Sequence, residues 1–379
     1  MQKKLIVLVV AAAASGVALA QTNVQIYGSI DVGFSHRGDN VNDGVGSKNA
    51  IDSGISSGNR LGFRGTEDLG NGIKALFVLE SGFQGDTGTL GQSPAAIGSR
   101  LFGRQAYLGL TGNFGTVIAG RLYAPHYSLV SSIDPFRSGT VGQYRNVFAS
   151  GLQAPGENLF DPTRVDNAVA YVSPSWGGFN VTAAYSTNAI GTESVENNHD
   201  NTVIALLPRY TNGPLDVGFS YHRIKDDDDG AGILGAIKPK ITNWAVAGTY
   251  DFKVVRLHAF YDKNKLSVSN PGWDDITLKS WLLGVTVPFG KHAIQASYTQ
   301  SKLDDQTDDS AGKAKQWALG YTYALSRRTN FYAAVSDISN DNEDGRKANK
   351  VRRTASVGDA SNGGEGYQNG FNIGLKHTF

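Results

Sequence analysis

Gly370-Phe371-Asn372-Ile373-Gly374-Leu375-Lys376-His377-Thr378-Phe379 closes the chain, and its reading decides the fold. Phe371, Ile373, Leu375, His377 and Phe379 fall on one side of an extended strand, and Gly370, Asn372, Gly374, Lys376 and Thr378 on the other. That is the two-residue period of a strand with one apolar face. Near the other end, Val24, Ile26, Ile30, Val32 and Phe34 oppose Gln25, Tyr27, Ser29 and Asp31 in the same way. Both segments read as paired strands.

Between them, further alternating stretches lie near 58–68, 73–84, 101–111, 115–122, 164–173, 178–188, 201–211, 214–225, 241–251, 253–265, 276–287, 291–301, 313–325 and 327–338, which makes sixteen in all. Most are long enough for a tilted strand to cross hydrocarbon, and longer than the usual globular strand. Short connections such as Leu69-Gly70-Asn71-Gly72, Gly112-Asn113-Phe114, Asn212-Gly213 and Pro288-Phe289-Gly290 alternate with long ones near 37–57, 85–100, 123–163, 189–200, 226–240, 266–275, 302–312 and 339–366. Every long loop therefore leaves the same rim. Even strand number, tight turns at one rim and long loops at the other describe an all-β, 16-stranded antiparallel transmembrane β-barrel. Closure removes the sheet edges and pairs the backbone groups that lipid cannot satisfy.

Composition narrows the function classes. Among 379 residues there is no Cys, which excludes thiol catalysis, thiolate metal sites and redox switching. Lys and Arg number 35 against 34 Asp and Glu, so nothing points to nucleic acid. Residues 1–20 read as a signal peptide, with Lys3 and Lys4 before the apolar Leu5 to Ala14 and the small residues Ala18-Leu19-Ala20, leaving 21–379 as the barrel. The histidines at 36, 126, 199, 222, 258, 292 and 377 stand singly, so neither metal nor cofactor is expected. Gly54-Ile55-Ser56-Ser57-Gly58 matches the nucleophile-elbow pattern, but it precedes a strand with no helix after it, and no enzyme is expected. The acidic runs Asp226 to Asp229, Asp304-Asp305 and Asp308-Asp309 and the basic run Arg346 to Arg353 read as loop charge. Tyr185, Tyr210, Tyr250, Phe252, Phe289 and Phe331 read as interfacial girdles.

Parity assigns the charged wall residues. Leu61, Phe63 and Gly65 share one face, so Arg60 and Arg64 share the other. An arginine facing mid-bilayer lipid costs roughly 2–4 kcal/mol, which directs both into the lumen. The same argument turns Lys74 and Glu80 inward, together with Val117, Ala119 and Arg121, and leaves Ile118 and Leu122 facing lipid. Arg104 alternates with Ala106, Leu108 and Leu110 on the apolar side, and so requires a place above the hydrocarbon, a bulge or a subunit contact. The third long loop carries Pro125, Pro135, Pro155 and Pro162, with Arg137 and Arg145 beside Asp134, Glu157, Asp161 and Asp166, and reads as a packed constriction.

Asn59-Arg60-Leu61-Gly62-Phe63-Arg64-Gly65-Thr66-Glu67-Asp68-Leu69-Gly70, Phe102-Gly103-Arg104-Gln105-Ala106-Tyr107-Leu108-Gly109-Leu110 and Gly374 to Phe379 resemble the general porins of Gram-negative bacteria, particularly those of β-proteobacteria. The resemblance implies an outer-membrane homotrimer with the third loop folded into the lumen. It implies that Phe379 belongs to the signal read by the barrel assembly machinery, and that lipopolysaccharide surrounds the outer rim. A family ladder of basic wall residues facing acidic loop residues maps onto Arg60, Arg121 and Arg145, with Asp134 and Glu157 as opponents; Arg64 and Arg104 complete the pore-constriction set. The expected function is passive diffusion of small hydrophilic solutes and ions, with mild anion preference. The competing readings are a solute-specific channel, a barrel hydrolase and a surface adhesin. For the arginines, the competing role is to pin the loop to the wall by salt bridges.

Overall fold

The computed structural model describes residues 23–40, 46–92, 99–148, 153–154, 157–158, 162–189, 201–226, 239–268, 275–305, 312–341, 355, 357 and 366–379. The signal-peptide reading, the basic run Arg346 to Arg353, Asp161, Asp227 to Asp229 and Asp308-Asp309 lie outside them.

In chain order the strands are β1 (Asn23–Asn40), β2 (Lys48–Ser53), β3 (Arg60–Gly70), β4 (Ile73–Gly82), β5 (Gln105–Gly112), β6 (Gly115–Tyr123), β7 (Gln153–Ala154), β8 (Glu157–Asn158), β9 (Arg164–Val172), β10 (Phe179–Ser186), β11 (Asn201–Asn212), β12 (Leu215–Asp226), β13 (Pro239–Asp251), β14 (Arg256–Val268), β15 (Ile276–Phe289), β16 (His292–Asp305), β17 (Lys313–Ala324), β18 (Thr329–Asp341) and β19 (Tyr367–Thr378). β7 and β8 pair only with each other, inside the third long connection. All the others join one antiparallel sheet that closes on itself through β1 and β19.

One wall position is split. The outer part of β1, from Val32 to Arg37, pairs with β2, while its inner part, from Asn23 to Ser29, pairs with β3. Residues 54–59 leave the wall between the two, so the ring has sixteen positions although seventeen strands build it. Alternation missed β2 and assigned it to a loop, because Lys48-Asn49-Ala50-Ile51-Asp52-Ser53 offers one large apolar residue in six. At the turn rim, Asn71 and Gly72 both take positive φ (52° and 75°), the geometry of a tight hairpin that suits the strand twist.

The two faces of the wall are inverted relative to a soluble protein. Ser220, Asn243, Asp262, Asn264, Ser280, Thr299, Ser301, Gln316 and Ser336 are buried, whereas Ile204, Leu206, Val246, Leu283, Leu319, Val335, Phe371, Ile373 and Leu375 are exposed. Such a face is stable only against hydrocarbon. Two aromatic rows border it: Trp244–Tyr261 and Trp281–Tyr298 with ring centroids 5.4 Å apart, and Tyr250–Phe252 and His292–Tyr323 at 4.6 Å nearer the turns. No helix among the described residues is long and apolar enough to cross a membrane; the strands do the crossing.

Closure ends on the last residue. Gly28 N–H donates to the Phe379 carbonyl and Phe379 N–H to the Gly28 carbonyl, each at 3.1 Å. A Cβ on Gly28 would lie 2.5 Å from the Phe379 ring, so the terminal ring covers this glycine and only glycine leaves it room. Gly28→Val should therefore lower barrel stability by about 1–3 kcal/mol. Gly46→Val, at a site with nothing within 4 Å, should leave it unchanged. Heat-dependent gel mobility of the detergent-folded proteins measures both.

Candidate functional site

The third connection begins with a break in alternation. Gly120 sits at φ 136°, and the β6–β9 register shifts between Gly120 and Leu122. The chain then enters a helix, Pro125–Ile133, with Pro at its first turn, where no N–H is required. A turn follows in which Arg137, Ser138 and Thr140 all have positive φ, and then a short helical segment, Arg145–Phe148. Asp134 organises this turn: its carboxylate accepts N–H groups from Phe136 (3.1 Å), Ser138 (2.9 Å) and Tyr144 (3.4 Å).

This segment lies against the buried faces of strands on widely separated parts of the ring, and only the interior permits that. Leu129, Val130, Ile133, Tyr144 and Phe148 pack with Leu207, Ala245, Ala247, Phe260 and Leu282. Phe136, Val141 and Val147 pack with Ala314, Ala318, Ala334 and Ile338. Wall side chains satisfy the loop backbone: His258 Nδ1–H donates to the Ile133 carbonyl (2.6 Å), Ser301 to Val147 (2.9 Å), Gln316 to Gly142 (3.0 Å) and Ser336 to Val141 (2.6 Å). At the tip, Thr140 N–H donates to the Ile55 carbonyl, so the 54–59 excursion supports the loop. That excursion is held in turn by Asp31, fully buried, whose carboxylate accepts the N–H groups of Ser56 and Ser57 at 2.8 Å and the Tyr332 hydroxyl. The Gly54–Gly58 motif is thus a carboxylate-binding bend.

A group of arginines lines the start of this loop. Arg104 precedes β5 and is therefore not subject to strand alternation; its N–H donates to the Glu80 carbonyl (3.0 Å) and its Nε to Glu80 Oε1 (2.7 Å). Its Nη2 reaches the Tyr123 hydroxyl at 2.6 Å. The Arg164 guanidinium lies 4.9 Å from the Tyr123 ring centre, Tyr123 stacks on Tyr127 at 5.7 Å, and the Arg145 guanidinium lies 5.5 Å from the Tyr127 ring. Arg60 is anchored on the Gly58 carbonyl and the Ser57 hydroxyl, close enough to Arg104 for their charges to interact. Arg64 lies further toward the turns, bonded to Gln25 (3.1 Å) and 5.0 Å from the Tyr27 ring.

Three sequence expectations are corrected. Arg121 does not join this group: it stands in register with Ala106, and its Nη1 pairs with Asp166, which also holds Arg100 at 2.6 Å. On β6, Val117 is exposed beside Leu110 and Tyr171, while Ile118 and Leu122 join the buried cluster of Val165, Ala168 and Ala170. The assigned parity is reversed because the Gly120 break uncouples Arg121 from the strand's phase, and the inner face here is packed rather than aqueous. Asp134 faces no arginine across the lumen, since it is spent on its own turn. Glu157 lies in β8, paired in register with Ala154, and its side chain is outside the described residues. Arg164, Tyr123 and Tyr127 were missed; the available signal was that Arg164, like Arg60, is the first residue of a wall strand.

No catalytic centre emerges among the described residues. Ser220 Oγ lies 2.8 Å from His126 Nδ1, and His126 Nε2 lies 3.5 Å from Asp262, but all three are buried where the loop helix meets the wall, beyond a substrate's reach. Among the described residues, no three His, Cys, Asp or Glu gather as a metal site. Asp304 bonds Lys279 (2.6 Å) and Lys302 (2.8 Å), as loop-end charge does.

Residues 7–343 match the family model described as Gram-negative porin. The chain belongs to the Gram-negative porin family. It is 32% identical over 387 residues to outer membrane porin protein 32 of Delftia acidovorans, with both chains fully covered. It is 31% identical to an outer membrane porin of Bordetella pertussis, covering 90% of this chain and 95% of that one. Its fold is similar to that of an anion-selective porin from Comamonas acidovorans, with a TM-score of 0.74 and 28% identity over 95% of this chain and all of that one. The porin is accordingly an outer-membrane β-barrel channel and not an enzyme.

Burial raises the Asp134 carboxyl to about 6, with the three N–H donors opposing. The seated turn therefore holds the proton more tightly than a free loop, whose carboxyl titrates near 3.8. Its contribution to seating is complete below that value and declines as pH rises through about 6. Between pH 4 and pH 7, seating in the wild type should weaken relative to Asp134→Asn by about 2 kcal/mol. Parallel rates of protease cleavage within the third loop measure the difference.

Proposed function

We propose that this porin passes small hydrophilic solutes and ions passively through one water-filled lumen per subunit of a homotrimer, with a mild preference for anions. The observation that carries the preference is the convergence of Arg60, Arg104, Arg145 and Arg164 where the third loop leaves the wall, with Arg64 below them. Arg60 is held by the Gly58 carbonyl and the Ser57 hydroxyl, Arg104 by Glu80 and the Tyr123 hydroxyl, and Arg145 and Arg164 lie over the Tyr127 and Tyr123 rings. A guanidinium keeps its full charge at every physiological pH, and here the half-buried Arg60 and Arg145 and the exposed Arg64 present it to a passing solute, whereas Arg104 and Arg164 are buried.

The similarity in fold to the Comamonas acidovorans porin, which is anion-selective, supports the sign. A trimer form among the fold neighbours, at 19% identity, accords with assembly in threes. The rest of the reading is that residues 1–20 are removed on export, that Phe379 is part of the sequence taken up by the barrel assembly machinery, and that lipopolysaccharide contacts the outer rim.

In a planar bilayer under a KCl gradient, the detergent-purified protein should close in steps of three and reverse on the anion side. Arg60→Ala and Arg145→Ala should each shift the reversal potential toward cations. A cation-side reversal in the wild type would refute the charge assignment.

A further inference from the structure

We propose that Gly218, Gly284 and Gly320 are positioning residues for the channel: their missing side chains form a recessed track on the inner wall, and the depth of that track sets the bore. The proposal concerns size and does not rest on the anion preference.

Each glycine faces a different part of the third loop. A Cβ on Gly218 in β12 would lie 2.7 Å from Leu129 Cδ1, one on Gly284 in β15 2.5 Å from Pro135 Cγ, and one on Gly320 in β17 2.6 Å from Phe136 Cε1. Leu129 belongs to the loop helix, and Pro135 and Phe136 begin the turn that follows it, so the track holds the loop where it crosses the barrel. Around these points the wall offers alanines, with Ala245 and Ala247 beneath the helix and Ala314, Ala318 and Ala334 beneath the tip.

The backbone does not demand glycine at these places. None of the three has positive φ, unlike Gly120 or Gly115. Gly284, opposite His258 and Ser297, and Gly320, opposite Gln295 and Ala334, sit in unbroken ladders; Gly218 is paired with Arg209 and Ala247, beside an interruption of the β11–β12 ladder at Leu207 and Pro208. Glycine in a strand interior weakens the strand, so three of them along the path of one loop answer to the space the loop occupies. Pro135 cannot rotate away, and Phe136 is enclosed by Val141, Val147 and the wall alanines. A side chain added beneath them therefore moves the loop off the wall and into the lumen.

The test is single-channel conductance and the size cut-off for polyethylene glycols of graded length, measured on the intact folded porin. Gly284→Ala and Gly320→Ala should lower both, and Gly284→Val and Gly320→Val should lower them further, while Gly46→Val stays at the wild-type value. Phe136→Ala combined with Gly320→Val should recover the conductance that Gly320→Val alone loses, because the ring that the new side chain displaces is gone. Should the valine variants not fold, the alanine pair and Phe136→Ala combined with Gly320→Ala, read against Gly320→Ala alone, decide the matter. Wild-type conductance and cut-off in folded Gly284→Ala and Gly320→Ala, or no recovery in the double variant, would overturn the proposal.

Discussion

Hydrocarbon offers no partner to a backbone N–H or C=O, and the rest of this molecule depends on that constraint. A sheet that crosses lipid must close, and here closure falls on β1, which pairs on one side with β19 and on the other with a wall strand broken into β2 and β3. The break is not a defect in the ring. Residues 54–59 turn inward there, and Asp31 on β1 gathers their N–H groups, so the strand that closes the barrel also supports the loop inside it.

Closure turns the apolar face outward and leaves an interior lined by small and polar side chains. One buried apolar cluster is built by residues of the wall itself, from Leu122 to Leu303, and two more form where the wall receives the third loop. Its leucine, valine, isoleucine and aromatic residues fill two clusters against alanines and a few larger residues, and wall hydroxyls and amides satisfy its carbonyls. Once the loop is fixed, its Arg145 and Tyr127 meet Tyr123 and Arg164 from the wall. The charge of the opening is therefore built jointly by two elements, and neither could place it alone.

Much of this architecture is visible along the chain. The alternation at 370–379, the Asn71-Gly72 turn and the sixteen wall positions follow from the period of two and from turn chemistry, which are local. The inward direction of Arg60 follows from the cost of placing a guanidinium in lipid. The same rule failed for Arg121, because a glycine at positive φ interrupts the phase and a carboxylate from β9 neutralises the charge. It gave no direction for Arg104, which lies one residue outside its strand. β2 escaped notice because six mostly polar residues carry no period, and it pairs only because β1 is long enough to receive it.

The sequence by itself determined the barrel and the number of its wall positions, since alternation and turn residues record the environment of each strand one residue at a time. Only the tertiary structure decided which arginines meet, that Asp134 is consumed within its own turn, and that particular wall glycines lie beneath the loop. Those outcomes depend on contacts between residues far apart in the chain, such as Ser336 with Val141 across 195 residues, and no local period carries that information.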